Sequence, residues 1–114
     1  MPLLKIQTNS PYPAEQANAL LAKASRRVAE ALGKPERYVM VSLETNPHML
    51  FAGDGAPLAY LELKSIGLPE GRTAELSAML CGLVAENLGV AADRVYIEFA
   101  DAPHKMWGWN GGTF

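Results

Sequence analysis

The chain has 114 residues, 49% of them hydrophobic and 19% charged, with a formal net charge of −2. That length reads as a single domain, 1–114, able to bury roughly 65% of its unfolded-chain surface, and the apolar content excludes a disordered polymer. The slight acidic excess gives no electrostatic case for nucleic acid or for an anionic membrane, and the one cysteine, Cys81, excludes an internal disulfide and fits a reducing compartment.

Pro2 stands directly behind Met1 and opens a strand-like segment, Pro2-Leu3-Leu4-Lys5-Ile6. With Met1 in place the Pro2 nitrogen is a tertiary amide and has no basicity. Loss of Met1 would turn it into a free secondary amine. An unperturbed α-amino group titrates at roughly pH 8. A neighbouring cation or apolar surroundings lower that value towards neutrality, where an amine serves well as a general base.

Strand and helix periods alternate from there. Leu4, Ile6 and Thr8 share one face of the first strand. A helix is predicted from about Ala14 to Leu32, with Ala17, Leu20, Leu21, Ala24, Val28 and Leu32 on one face and Gly33 placed to end it in a left-handed conformation. Lys23, Arg26, Arg27 and Glu30 lie mostly off that face and read as a solvated surface. Val39, Val41 and Leu43 mark a second strand, Asn46-Pro47 and Gly53-Asp54-Gly55 a turn region, and Ala59, Leu61 and Leu63 a third strand.

A second helix is predicted from about Arg72 to Leu88, with an apolar stripe of Leu76, Met79, Leu80, Leu83, Val84 and Leu88, and with Gly89 as its stop. Cys81, in the apolar run Met79-Leu80-Cys81-Gly82-Leu83, reads as a buried, inert thiol. Val95, Ile97 and Phe99 share a face of the fourth strand. The tail from Met106 to Phe114 is aromatic and glycine-rich. Its two tryptophans and terminal Phe114 are expected to pack on a neighbour or wall a pocket.

The two halves, about 2–56 and 57–114, resemble each other. Val28-Ala29-Glu30-Ala31-Leu32-Gly33 recurs as Val84-Ala85-Glu86-Asn87-Leu88-Gly89. The expected fold is therefore α+β: duplicated β-α-β units forming a four-stranded mixed sheet with two helices on one face. Lys5, Gln7, Met40, Ser42, Tyr60, Glu62, Lys64, Tyr96 and Glu98 fall on the other face. Its tyrosine and methionine content points to partial burial around a wet channel in an oligomer.

Few motifs carry chemistry. There is no phosphate-binding glycine loop. His48 and His104 are isolated in proline-flanked loops, so no metal site is expected and no cofactor is implied. No secretory signal, transmembrane run or lipid-attachment motif is visible, which makes the cytoplasm the expected location. Pro2 remains, with Lys34 as a candidate cation.

Several blocks along the whole chain are similar to the macrophage migration inhibitory factor family of the tautomerase superfamily. They are Met1-Pro2, Gly33-Lys34-Pro35 with Tyr38, Lys64-Ser65-Ile66-Gly67, Leu80-Cys81-Gly82-Leu83, Asp93-Arg94-Val95-Tyr96-Ile97, and Gly108-Trp109-Asn110 with Thr113-Phe114. The resemblance implies a homotrimer whose sheets enclose a central channel. It implies Pro2 as catalytic base, with Lys34 lowering its pKa and binding a substrate carboxylate, helped by the Ile66 backbone amide. It implies Tyr96 as a residue contributed by the adjacent subunit, Trp109 and Phe114 as pocket walls, and Tyr38 at the pocket rim. The implied activity is keto–enol tautomerisation of aromatic 2-oxo acids of the phenylpyruvate type. The alternative it leaves open is a cytokine-like binding protein with a relic pocket, acting on an unidentified receptor after secretion without a signal peptide.

The chain also departs from the family. Lys64 stands where mammalian members have histidine, Glu98 where they have asparagine, and Trp107 where a small aliphatic residue is common. Glu98 near Pro2 is expected to raise the amine pKa, Lys64 to offset it by pairing with Glu98, and Trp107 to reshape the pocket. Pro57-Leu58-Ala59-Tyr60 replaces the family's redox Cys-x-x-Cys, so no oxidoreductase activity is expected.

Overall fold

The computed structural model describes Met1–Phe114. β1 (Leu3–Thr8), α1 (Ala14–Leu32) and β2 (Met40–Thr45) form one unit, and β3 (Ala59–Ile66), α2 (Thr73–Leu88) and β4 (Val95–Ala102) form a second of the same order. A small hairpin, β5 (Gly108–Trp109) and β6 (Gly112–Thr113), closes the chain. No helix is long and apolar enough to cross a membrane.

The four-stranded sheet has the order β2-β1-β3-β4. β1 runs parallel to β2 and antiparallel to β3, and β3 runs parallel to β4. The sheet is therefore mixed, with the two β-α-β units meeting at the antiparallel β1/β3 seam. Leu4 faces Leu63 and Ile6 faces Leu61 across that seam, and all four are fully buried. Above them, Leu20, Ala24 and Val28 of α1 and Leu76, Leu80, Leu83 and Val84 of α2 complete the core. The spacing of four between Leu20, Ala24 and Val28 puts them in a single row, and a methyl group at the middle position lets the helix lie close to the sheet.

The edge strands differ from the centre. Val41, Leu43, Ile97 and Phe99 face the helices yet are only half-buried, because two helices cover the middle of the sheet and not its margins. Cys81 is half-buried and not sunk in the core as expected. It lies one residue, about 100° of helical turn, away from the buried Leu80.

Both helices end at a left-handed glycine, Gly33 at φ 63° and Gly89 at φ 66°, a conformation that costs a side-chain-bearing residue about 1–2 kcal/mol. After α1 the Gly33 N–H donates to the Glu30 carbonyl and the Lys34 N–H to the Ala29 carbonyl. This paired closure, a Schellman motif, turns the chain sharply and fixes where Lys34 emerges.

Between β2 and β3 the chain folds over the far end of the sheet. Phe51 and Asp54 exchange backbone hydrogen bonds around Ala52 and Gly53, both at positive φ. The Arg94 guanidinium gathers the carbonyls of Phe51, Asp54 and Ala56 at 2.9–3.0 Å.

Thr8 is a buried polar residue at the end of β1. Its hydroxyl donates to the Leu58 carbonyl at 2.7 Å and accepts from the Ser10 N–H at 3.1 Å. Thr8→Val keeps the volume but removes both bonds. Equilibrium urea unfolding is expected to show a loss of about 1–3 kcal/mol, the cost of stranding buried backbone groups; a variant as stable as the parent would overturn this account of the turn.

Candidate active site

A cavity of about 500 Å³ opens at the start of β1, walled by Met1, Pro2, Leu3, Arg37, Tyr38, Val39, Met40, Lys64, Trp107, Gly108, Trp109 and Phe114. Four parts of the sequence converge here, and sheet topology explains how. β1 lies between β2 and β3, so the start of β1 is flanked by the start of β2 on one side and the end of β3 on the other. Leu3 pairs with Met40 across the parallel seam and with Lys64 across the antiparallel one. The Met40 N–H donates to the Pro2 carbonyl at 2.9 Å, tying the chain start to β2. Pro2 itself is fully buried.

The segment between α1 and β2 supplies the rim. Pro35 starts a turn in which the Tyr38 N–H donates to the Pro35 carbonyl and the Val39 N–H to Glu36. This turn presents Tyr38 to the cavity and lays the Arg37 guanidinium over the Tyr38 ring, 4.8 Å from its centroid.

The tail supplies the aromatic wall. Asn110 and Gly111 both take positive φ, 52° and 77°, as a two-residue hairpin with the twist of its strands requires. The hairpin returns Phe114 towards Trp107, whose carbonyl accepts from the Phe114 N–H at 3.1 Å. Trp109 and Phe114 stack at 5.1 Å, and Tyr38 meets both edge-on at 5.7 and 5.6 Å. These offset and perpendicular arrangements are the favoured geometries for aromatic rings. The Asn-Gly dipeptide carried the signal for this hairpin, which the reading of the tail as merely glycine-rich passed over.

The electrostatics are set by cations. The Met1 amino group is held below the ordinary α-amino value, first by burial and then by the positive charge of Lys34. Lys34 is half-buried and forms no ion pair. Lys64 and Arg37 add two cationic side chains to the cavity wall, and no Asp or Glu side chain lines it.

The structure thus brings Pro2, Tyr38, Lys64, Trp107, Trp109 and Phe114 around one cavity; Lys34 does not line it but is close enough to act on the terminal amine. Three residues named from the sequence lie elsewhere. Ile66 is buried at the end of β3 and does not line the cavity. Tyr96 is exposed at the far end of the sheet, 4.6 Å from the Phe51 ring. Glu98 accepts a hydrogen bond from the Tyr60 hydroxyl at 3.2 Å. The expected Lys64–Glu98 pair is corrected: the Lys64 ammonium sits 3.1 Å from Glu62. The register explains this, because Glu98 stands opposite Glu62 while Lys64 stands opposite Ala100. Arg37 was missed from the sequence; its position beside Tyr38 was the available signal.

Lys34→Ala removes a positive charge that opposes protonation, so the Met1 amine should titrate higher in the variant than in the parent, while still feeling its burial. An NMR pH titration of the amine in the Met1-retaining chain checks this. An unchanged or lowered midpoint would contradict the coupling.

A family model described as macrophage migration inhibitory factor matches residues 1–114. The macrophage migration inhibitory factor of Meriones unguiculatus is 36% identical, over 100% of this chain and 99% of the relative, and the homologue from Brugia malayi is 40% identical over the same shares. The crystal structure of the homologue from Prochlorococcus marinus superposes with a TM-score of 0.93 at 50% identity, covering 98% of each chain. The Toxoplasma gondii protein does so at 0.91 and 32% identity, covering 98% of this chain and 99% of that one. Sequence and fold agree from end to end: this chain belongs to the macrophage migration inhibitory factor family and has the fold of the tautomerase superfamily.

Proposed function

We propose that the protein is a keto–enol tautomerase of phenylpyruvate-type aromatic 2-oxo acids, with Pro2 as general base once Met1 has been removed. The observation that carries this reading is the Met1 amine, whose pKa burial and Lys34 already lower. Removal of Met1 moves the amine one residue inward, onto a residue that is fully buried, and makes it a secondary amine. The same two influences then act on a better base.

In the proposed reaction the neutral Pro2 amine takes a proton from C3 of the keto acid. The C–H electron pair becomes the C2–C3 double bond, the carbonyl oxygen becomes the enol oxygen, and the ammonium returns the proton to it. Nothing is oxidised or reduced, and no cofactor is needed. Lys34 holds the carboxylate, and the resemblance adds the Ile66 amide as a second donor. The ring packs against Tyr38, Trp109 and Phe114, with Trp107 narrowing the space beside them.

The reading includes a homotrimer. Support comes from large apolar side chains left exposed: Met40 on β2, Leu50 between β2 and β3, and Tyr96 on β4 are 67%, 72% and 67% accessible. Tyr96 cannot reach the cavity of its own chain, which fits its assignment as a residue lent to the next subunit. Glu98, two residues along the same strand, would travel with it. Light scattering is expected to give three times the 12.3 kDa chain mass; a monomer would remove Tyr96 and Glu98 from the site.

The decisive measurement follows enol–keto conversion of phenylpyruvate by ultraviolet absorbance, on protein whose intact mass shows Met1 absent. Pro2→Gly should cost about 10²-fold or more in turnover, the range for a general base, with the circular dichroism spectrum retained. The acidic limb of kcat/KM reports the pKa of the free amine. Lys34→Ala raises that pKa, so the limb should move to higher pH. No turnover above buffer in the parent would defeat the tautomerase reading and favour the cytokine-like one, in which binding survives Pro2→Gly.

A further inference from the structure

A substrate carboxylate needs a partner inside the cavity, and the wall offers few. The resemblance gives that task to Lys34 and the Ile66 amide, yet neither residue lines the cavity of this chain. Lys34 reaches the site through its effect on the terminal amine. Among the wall residues only Arg37 and Lys64 carry a charged side chain. Lys64 is already engaged, with its ammonium 3.1 Å from Glu62. The trimer would add Glu98 of the next subunit, which is itself a carboxylate and has the Tyr60 hydroxyl of its own chain as partner at 3.2 Å. Arg37 is therefore the one wall cation without an acid partner in its chain.

Arg37 is also held in place. It sits in the short turn Glu36–Tyr38, whose N–H groups bond back to the Pro35 and Glu36 carbonyls. Its guanidinium lies over the Tyr38 ring, 4.8 Å from the centroid, and Tyr38 is fixed edge-on against Trp109 and Phe114. Stacking engages the face of a guanidinium and leaves its N–H donors, which lie in the plane, free for an acceptor. A planar fork thus stands beside the aromatic wall, and that fork matches the two oxygens of a carboxylate as an ammonium does not.

We infer that Arg37 is the specificity-determining residue that receives the carboxylate of a flat aromatic acid in this cavity. The direct contact moves from Lys34 to Arg37, and Lys34 keeps the tuning of the amine. The ring lies against Trp109 and Phe114, and the acid end turns to the fork. This deepens the tautomerase reading and rests on it for the reaction, but carboxylate recognition has a readout of its own.

Trp107 and Trp109 are the two tryptophans of the chain and both line the cavity, so quenching of their fluorescence reports binding without turnover. On the Met1-free protein, phenylacetate should bind about tenfold or more tighter than phenylacetamide, a neutral molecule of the same shape, as hydrogen bonds to charged groups confer. Arg37→Met should remove most of that preference. Arg37→Lys keeps the charge on an exposed turn and should retain only part of it, because an ammonium cannot reproduce the fork. In phenylpyruvate turnover, Arg37→Met should raise KM about tenfold with kcat little changed, the pattern of a contact made alike in ground and transition states. A preference intact in both variants would overturn the inference and leave the tautomerase reading standing. So would a parent with no preference, the result if Glu98 of the next subunit occupies Arg37. A preference lost in Arg37→Met, with no phenylpyruvate turnover by the parent, would refute the tautomerase reading and uphold the carboxylate site.

Discussion

The rest of this structure depends on the first residues of the chain being a central strand. Chain termini ordinarily fray, because few contacts hold them. Here β1 is hydrogen-bonded on both sides, to β2 and to β3, and Leu4 and Ile6 lie at the bottom of the core. Burying those two side chains removes the freedom of the residues just before them. Pro2 is consequently fixed against Met40 and withdrawn from water. A chain start on an edge strand or in a loop would leave its amine solvated and ordinary.

Two local devices turn that constraint into a site. The left-handed glycine after α1 aims the chain so that Lys34 arrives near the terminal amine. The tail hairpin brings Trp109 and Phe114 back over the same opening, and Tyr38 locks against both rings. One device supplies charge and the other excludes water, and each strengthens the other, since a cation acts further in a less polar surrounding. The wall is therefore mostly apolar and aromatic, with Arg37 and the Glu62-paired Lys64 as its charged side chains.

The opposite face of the sheet follows different rules. Its charged and hydroxyl side chains pair along and across strands, as with Lys64 and Glu62, Tyr60 and Glu98, and Gln7 and Glu44. Such contacts on an open sheet add little stability each. Their effect is to decide which cations are neutralised. Glu62 holds Lys64 in place, and Arg37 has no carboxylate partner at all.

Much of this was written in the sequence. Hydrophobic period alone located both helices and all four main strands, since a stripe every three or four residues and an alternation of two are direct images of backbone geometry. The glycine stops and the repeated half-chain pattern likewise require no partner to be read. Pro2 was legible as a candidate base and Lys34 as a candidate cation, but not the proximity of Lys34 to the terminal amine. What the tertiary structure alone decided is register and convergence. Lys64 and Glu98 share a sheet face, yet the parallel pairing of β3 with β4 sets Glu98 beside Glu62 and leaves Lys64 facing Ala100. Arg37 drew no notice in the sequence, and only the turn after Pro35 lays it on Tyr38 at the cavity wall. Face is a property of one strand, whereas a neighbour across strands depends on how two distant segments slide against each other, and that is fixed only when the core between them closes.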